Sequence, residues 1–202
     1  PYILMNDFML GWSGGDMTSS HEFYHAVQDA IGTYEYVGVG AWYFEATASW
    51  VENEVYPDDP SYADFLFGFA FLPEYPLNSF QYPLTGVTAE YHQYGAFVYV
   101  QFLNTFHGGP ELVRRSWTEA GNRVNPLDTI DTLLAEQGTD VDTTFVEFVG
   151  RNATWDYPNG SWYEGSLVSA ERWGYYDDHQ VAGSVSVFDD ADQWHSPEDW
   201  LP

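Results

Sequence analysis

Met17-Thr-Ser-Ser-His21-Glu22-Phe23-Tyr24-His25-Ala-Val-Gln28-Asp29-Ala-Ile31 is the stretch on which the fold turns. It reads as one helix, with Asp16 placed to cap its start and Gly32 just past its end. On a helix, positions i and i+4 share a face, so His21 and His25 stand one turn apart. Two imidazoles so placed can bind one Zn²⁺ at about 2.0–2.1 Å. Glu22 sits roughly 100° further round. It is therefore directed at a metal-bound water and not at the metal, and this separates ligands from base. Phe23 and Tyr24 are uncharged, and Ala26 and Val27 continue apolar, as expected of a helix packed on a core.

The next stretch supplies a third donor. Ala41 to Val55 reads as a second helix, stopped by Pro57. Glu45 lies within it, and the loop from Thr33 to Gly40 has glycines to make the turn. A helix, a loop and an antiparallel helix set Glu45 beside the two histidines. His21, His25 and Glu45 are then three protein ligands, which leave a fourth position to water, as catalytic zinc sites do.

Further along, Ser61 to Leu72 is apolar and reads as helical, with strand as the alternative, and 73–86 as a proline-bearing loop. Thr88 to Phe106 carries one long helical pattern, closed by Gly108-Gly109. Pro110 to Ala120, Pro126 to Gln137 and Val141 to Ala153 follow as helices, the last capped by Asp140. From Asp156 the chain is rich in Gly, Pro and aromatics. Tyr2 to Met5 and Val181 to Phe188 are candidate strands. The expected fold class is mainly α (α+β). It comprises metal-binding helices over 1–60, a helical subdomain over 61–165 that completes a cleft, and an irregular or β acidic segment over 166–202. The opening at Pro1-Tyr-Ile-Leu-Met5 reads as a piece of a longer protein.

Charge is the extreme of the composition: 31 acidic residues against 5 basic ones, a formal net charge of −26. The basic residues are Arg114, Arg115, Arg123, Arg151 and Arg172, and lysine is absent. Such a surface repels itself in dilute buffer and is relieved by salt, so the chain reads as salt-adapted, from a halophilic source. Nucleic acid and anionic membranes are disfavoured as partners by the same charge. No apolar run is long enough to span a membrane. With no cysteine, thiolate metal sites, disulfides and cysteine nucleophiles are excluded. Asp189-Asp190-Ala-Asp192 is a candidate Ca²⁺ site, although scattered acids on a salt-adapted surface explain it more simply. His107 reads as a helix C-terminal cation, and His179 and His195 as solvated. The stripe Phe65, Phe67, Phe69, Phe71 reads as core or interface.

The wording around both motifs resembles the gluzincin clan of zinc metallopeptidases, of which thermolysin is the familiar member. The closer likeness is to secreted bacterial and archaeal metallopeptidases that read HE-aromatic-x-HAVQ and then Trp-x-x-Glu-small-Thr-Ala-x-Trp-x-Glu. This chain gives His21-Glu-Phe-Tyr-His-Ala-Val-Gln28 and Trp42-Tyr-Phe-Glu-Ala-Thr-Ala-Ser-Trp-Val-Glu52. Tyr94-Gly95-Ala96 resembles a later helix of that family, and Phe145 to Asn152 and Tyr163-Glu164-Gly165 do so more loosely. The resemblance implies a zincin-like fold, a peptide or protein substrate, and action outside the cell or on its surface. Glu22 would be the general base. The oxyanion donor comes from Tyr91, His92 and Tyr94, with Tyr94 favoured because Tyr-Gly-Ala matches the family. Members often carry an acid four residues after the ligand glutamate to orient a histidine. Here that position is Ser49, a weaker acceptor, with Glu52 and Asp29 as candidates for the same role. An endopeptidase is the leading expectation. A zinc aminopeptidase and a non-catalytic module on the same scaffold are the alternatives.

Overall fold

The computed structural model describes residues 14–81 and 88–173. Among these the protein is mainly α, with no strand. The strands expected at 2–5 and 181–188, the acidic tail, His179, His195 and the 189–192 acidic cluster lie outside the described residues.

Helix α1 spans Gly15–Ile31. Asp16 is in its first turn rather than capping it, and Gly14 occupies the N-cap. Gly32 takes the left-handed conformation (φ 65°) and its N–H closes on the Gln28 carbonyl, which ends the helix. Phe23 is 63% exposed, contrary to the core-facing expectation, so the middle of the motif looks outward. Helix α2 spans Ala41–Val55, and every residue from Ala41 to Trp50 is buried. A helix apolar all round belongs inside a bundle, and α2 is that central element. His21 of α1 meets Glu52 late in α2, while Gln28 meets Phe44 early in it, so the two helices run antiparallel.

The long pattern at 88–106 does not form one helix. It is a 3₁₀ turn (Thr88–Tyr91), a short α3 (His92–Gly95) and α4 (Phe97–Phe106). Likewise 61–72 resolves into a 3₁₀ turn (Pro60–Ala63) and a single α turn, Phe67–Ala70. The two broken segments dock backbone to backbone. A Cβ on Gly68 would fall 2.3 Å from the Tyr91 carbonyl carbon, and one on Gly95 would fall 2.7 Å from the Phe65 oxygen. Continuous helices with full side chains could not approach so closely.

Helices α5 (Gly109–Thr118), α6 (Pro126–Ala135) and α7 (Val141–Asn152) complete the middle of the chain. Asp140 caps α7 by accepting from the Thr143 N–H. His107 ends α4 and pairs with Glu147 at 3.1 Å. The final helix, α8 (Gly160–Trp173), is a departure from the irregular segment expected there, and it crosses the anticipated boundary at 165. Its Gly and Ser residues are weak helix formers. Buried Tyr163, Leu167 and Ala170 nevertheless recur at helical spacing and dock it on the core. One apolar cluster joins Met17, Trp42, Phe97, Trp117, Phe148 and Leu167, so α1, α2 and the later helices share a single core.

Candidate metal centre

His21 and His25 project from α1, and Glu45 projects from α2. His21 is 7% and Glu45 2% exposed. Glu45 Oε2 lies 3.1 Å from His21 Nε2 and 3.4 Å from His25 Nε2. The three donor atoms all fall within 4.8 Å of one another. Donors about 2.0–2.1 Å from a tetrahedral zinc stand about 3.3 Å apart, close to both measured separations.

The partners on the far side of each ring fix which atoms face inward. Gln28 Nε2 donates to the Phe44 carbonyl and to Thr47 Oγ1, both at 2.9 Å. The Thr47 hydroxyl is itself committed as donor to the Tyr43 carbonyl. The Gln28 amide orientation is thereby set, and Oε1 is left to accept from His25 Nδ1 at 2.7 Å. With Nδ1 so held, Nε2 is the ring nitrogen of His25 that faces the Glu45 oxygen. His21 Nδ1 lies 2.7 Å from Glu52 Oε1, so its Nε2 also turns to Glu45. Burial disfavours a charged His21, but the hydrogen bonds and charges of Glu45 and Glu52 outweigh burial and raise its pKa to about 9. Glu45 shows the reciprocal effect. Burial opposes its charge, yet His21 and His25 hold its pKa down to about 2. The pocket thus demands positive charge at one point between three donors. A proton on His21 meets that demand, and a divalent cation meets it for both imidazoles at once. The donor set, two imidazoles and a carboxylate with held second nitrogens, suits zinc.

Of the residues expected to orient the histidines, Glu52 is in contact with His21. Ser49 is buried on α2, and Asp29 is exposed, while the Nδ1 atoms of His21 and His25 go to Glu52 and Gln28. Gln28 takes the place foreseen for Asp29, and the second ring nitrogens leave nothing for Ser49 to hold. Gln28 went unread as a functional residue, although its position in the His-Ala-Val-Gln words was a signal. Tyr36 was also missed: its hydroxyl donates to Glu45 Oε1.

Glu22 is exposed on α1, beside His21. The Tyr94 ring stacks over His21 with centroids 6.0 Å apart, and Phe65 backs it at 5.5 Å. Burial, then the charges of Glu45 and Glu22, push the Tyr94 hydroxyl well above its usual range, so it stays protonated. His92, by contrast, is wholly buried beside Phe69 and Tyr75, away from this cluster, with its pKa lowered to about 4 by burial. Tyr91 stacks on Phe65.

Among the described residues no helix is long and apolar enough to cross a membrane. No curated protein and no solved structure matches the chain. A family model does match, over residues 12–202, which takes in α1, α2 and everything after them. The chain belongs to that family, the family of unknown function DUF6055.

Proposed function

We propose that the protein is a zinc-dependent peptidase that hydrolyses peptide bonds, acting as an endopeptidase outside the cell in high salt. One observation carries the reading: two imidazole Nε2 atoms converge on a single oxygen of buried Glu45, while both Nδ1 atoms are held from behind by Gln28 and Glu52. His21, His25 and Glu45 would hold the ion. Bound zinc supplies Lewis acidity for a water and for the scissile carbonyl.

The remaining chemistry belongs to the chain. Glu22 accepts the proton of the attacking water as the new C–O bond forms, then gives it to the amine nitrogen as the C–N bond breaks. Tyr94, kept protonated beside His21, donates to the oxyanion that develops on the former carbonyl. Glu52 and Gln28 keep the two rings from turning.

Protein purified in high salt is expected to hold one zinc per chain by elemental analysis. Glu22→Gln is expected to keep that zinc and lose casein cleavage. A zinc-free protein that takes up none on addition, or undiminished cleavage by the variant, would overturn the reading. Tyr94→Phe is expected to lower kcat by about 10²-fold or more with little change in KM.

A further inference from the structure

Tyr36 belongs to the loop between α1 and α2, outside both helices that carry the donors. Its residue is 45% exposed, yet its ring is wedged edge-on against His25 at 6.1 Å, Phe44 at 5.2 Å and Phe80 at 5.6 Å. The wedge aims the hydroxyl at Glu45, where it donates to Oε1. The other carboxylate oxygen, Oε2, is the one that faces both imidazoles.

We propose that Tyr36 is a positioning residue that caps Glu45 Oε1, so that Glu45 offers a metal ion one oxygen and not two. The inference rests on the metal reading above and adds a determinant of coordination number. A carboxylate can bind through one oxygen or chelate through both. Chelation by Glu45 would fill the position that a catalytic site gives to water. A phenol donor on Oε1 occupies one of its lone pairs and lowers its basicity, which disfavours chelation through that oxygen. Outer partners of this kind act through the ligand they touch. Tyr36 therefore governs the coordination at the centre without contacting the metal.

The test uses the full chain, stripped of metal in high salt and loaded with Co²⁺, which reports coordination number in its visible absorption. Wild type is expected to bind one Co²⁺ with the intense bands of a low-coordinate site. Tyr36→Phe keeps the wedge and removes the hydroxyl. It is expected to bind the same amount of Co²⁺ with clearly weaker bands, and to change zinc affinity about tenfold or more. Tyr36→Leu, which also lacks the donor, gives the same change if the Phe variant folds poorly. Phe80→Leu loosens the packing but leaves the hydroxyl, and its spectrum should stay close to wild type. Superimposable spectra and equal affinities for wild type and Tyr36→Phe overturn the inference alone. So does a Phe80→Leu spectrum as altered as that of Tyr36→Phe, since packing would then suffice. Failure of wild type to bind Co²⁺ or Zn²⁺ overturns the metal reading itself, and this inference with it.

Discussion

Gln28 ties the imidazole of His25 to the main chain of the opposite helix: its Oε1 accepts from His25 Nδ1 at 2.7 Å while its amide nitrogen donates to the Phe44 carbonyl at 2.9 Å. The tautomer of a proposed ligand on α1 is thus decided by backbone one residue before the proposed ligand on α2. Gln28→Leu breaks the tie and frees the ring to turn. Zinc affinity is expected to fall by about 10–100-fold, measured by competition with a chromophoric chelator, with helical content retained.

The pH dependence of the metal-free protein follows from the same cluster. His21 has its folded pKa raised from 6.5 to about 9. Its stabilisation is complete below pH 6.5 and is lost as pH rises through 9. Glu45 has its folded pKa lowered from 4.5 to about 2, so its stabilisation is present above pH 4.5 and is lost as pH falls through 2. The His21–Glu45 contact enters both shifts, so the two contributions do not simply add. Chelator-treated protein should therefore melt highest between about pH 4.5 and 6.5 and progressively lower from there to pH 9. Zinc bound as proposed would compete with the His21 proton, so its affinity should climb with pH over the same upper window. Calorimetry in buffers of different ionisation enthalpy should count about one proton released per zinc at pH 7.5. An affinity flat from pH 6.5 to 9 would contradict this.

Gly95 lets the turn bearing Tyr94 reach its neighbour. An added Cβ would meet backbone, the Phe65 oxygen at 2.7 Å and the Phe69 nitrogen at 2.8 Å, neither of which can rotate away. Gly95→Ala is expected to destabilise the fold by about 1–3 kcal/mol, read from denaturant unfolding. Gly150→Ala, where nothing lies within 4 Å, serves as the comparison and should not destabilise.

Salt should stabilise this chain more than most. The formal net charge is −26. Arg114, Arg115 and Arg151 are already spent on Glu111, Glu119, Glu136, Glu147 and Asp156. Raising KCl from about 0.1 M to about 1 M shortens the screening length from about 10 Å to about 3 Å. A rise in Tm of at least about 5 °C is expected, equivalent to roughly 2 kcal/mol for a domain of this size. A Tm that falls with salt would show that these ion pairs outweigh the general repulsion.

Much of the centre was legible because it is local. His21, His25 and Glu45 follow from helical periodicity and from one loop of turn-forming residues, and Ala41–Val55 forms the helix its pattern foretold. What the pattern could not give were contacts chosen by packing. Ser49, Glu52 and Asp29 are all candidates on sequence, and it is Glu52 that meets His21, because antiparallel crossing brings the end of α2 to the start of α1. The broken segments 61–72 and 88–106 touch at Gly68 and Gly95, a pairing distant in sequence that an apolar run does not specify. Helix α8 was hidden by glycine and serine, and tertiary burial of Tyr163 and Leu167 overrides their poor propensity.

Met17 to Glu52 is a short span for a complete donor set with its supports. His21 and Glu45 are separated by 24 residues in sequence, so only a small loop must close to bring them together. Yet Ala41 to Trp50 has no exposed residue, and nothing in that hairpin could keep such a helix in water unaided. If the proposed ion binds, its capture and the completion of the bundle would be linked. Early pairing of the two helices would give an ion its first foothold on the growing chain. The ion would in turn hold the greasy central rod in register until its neighbours arrived.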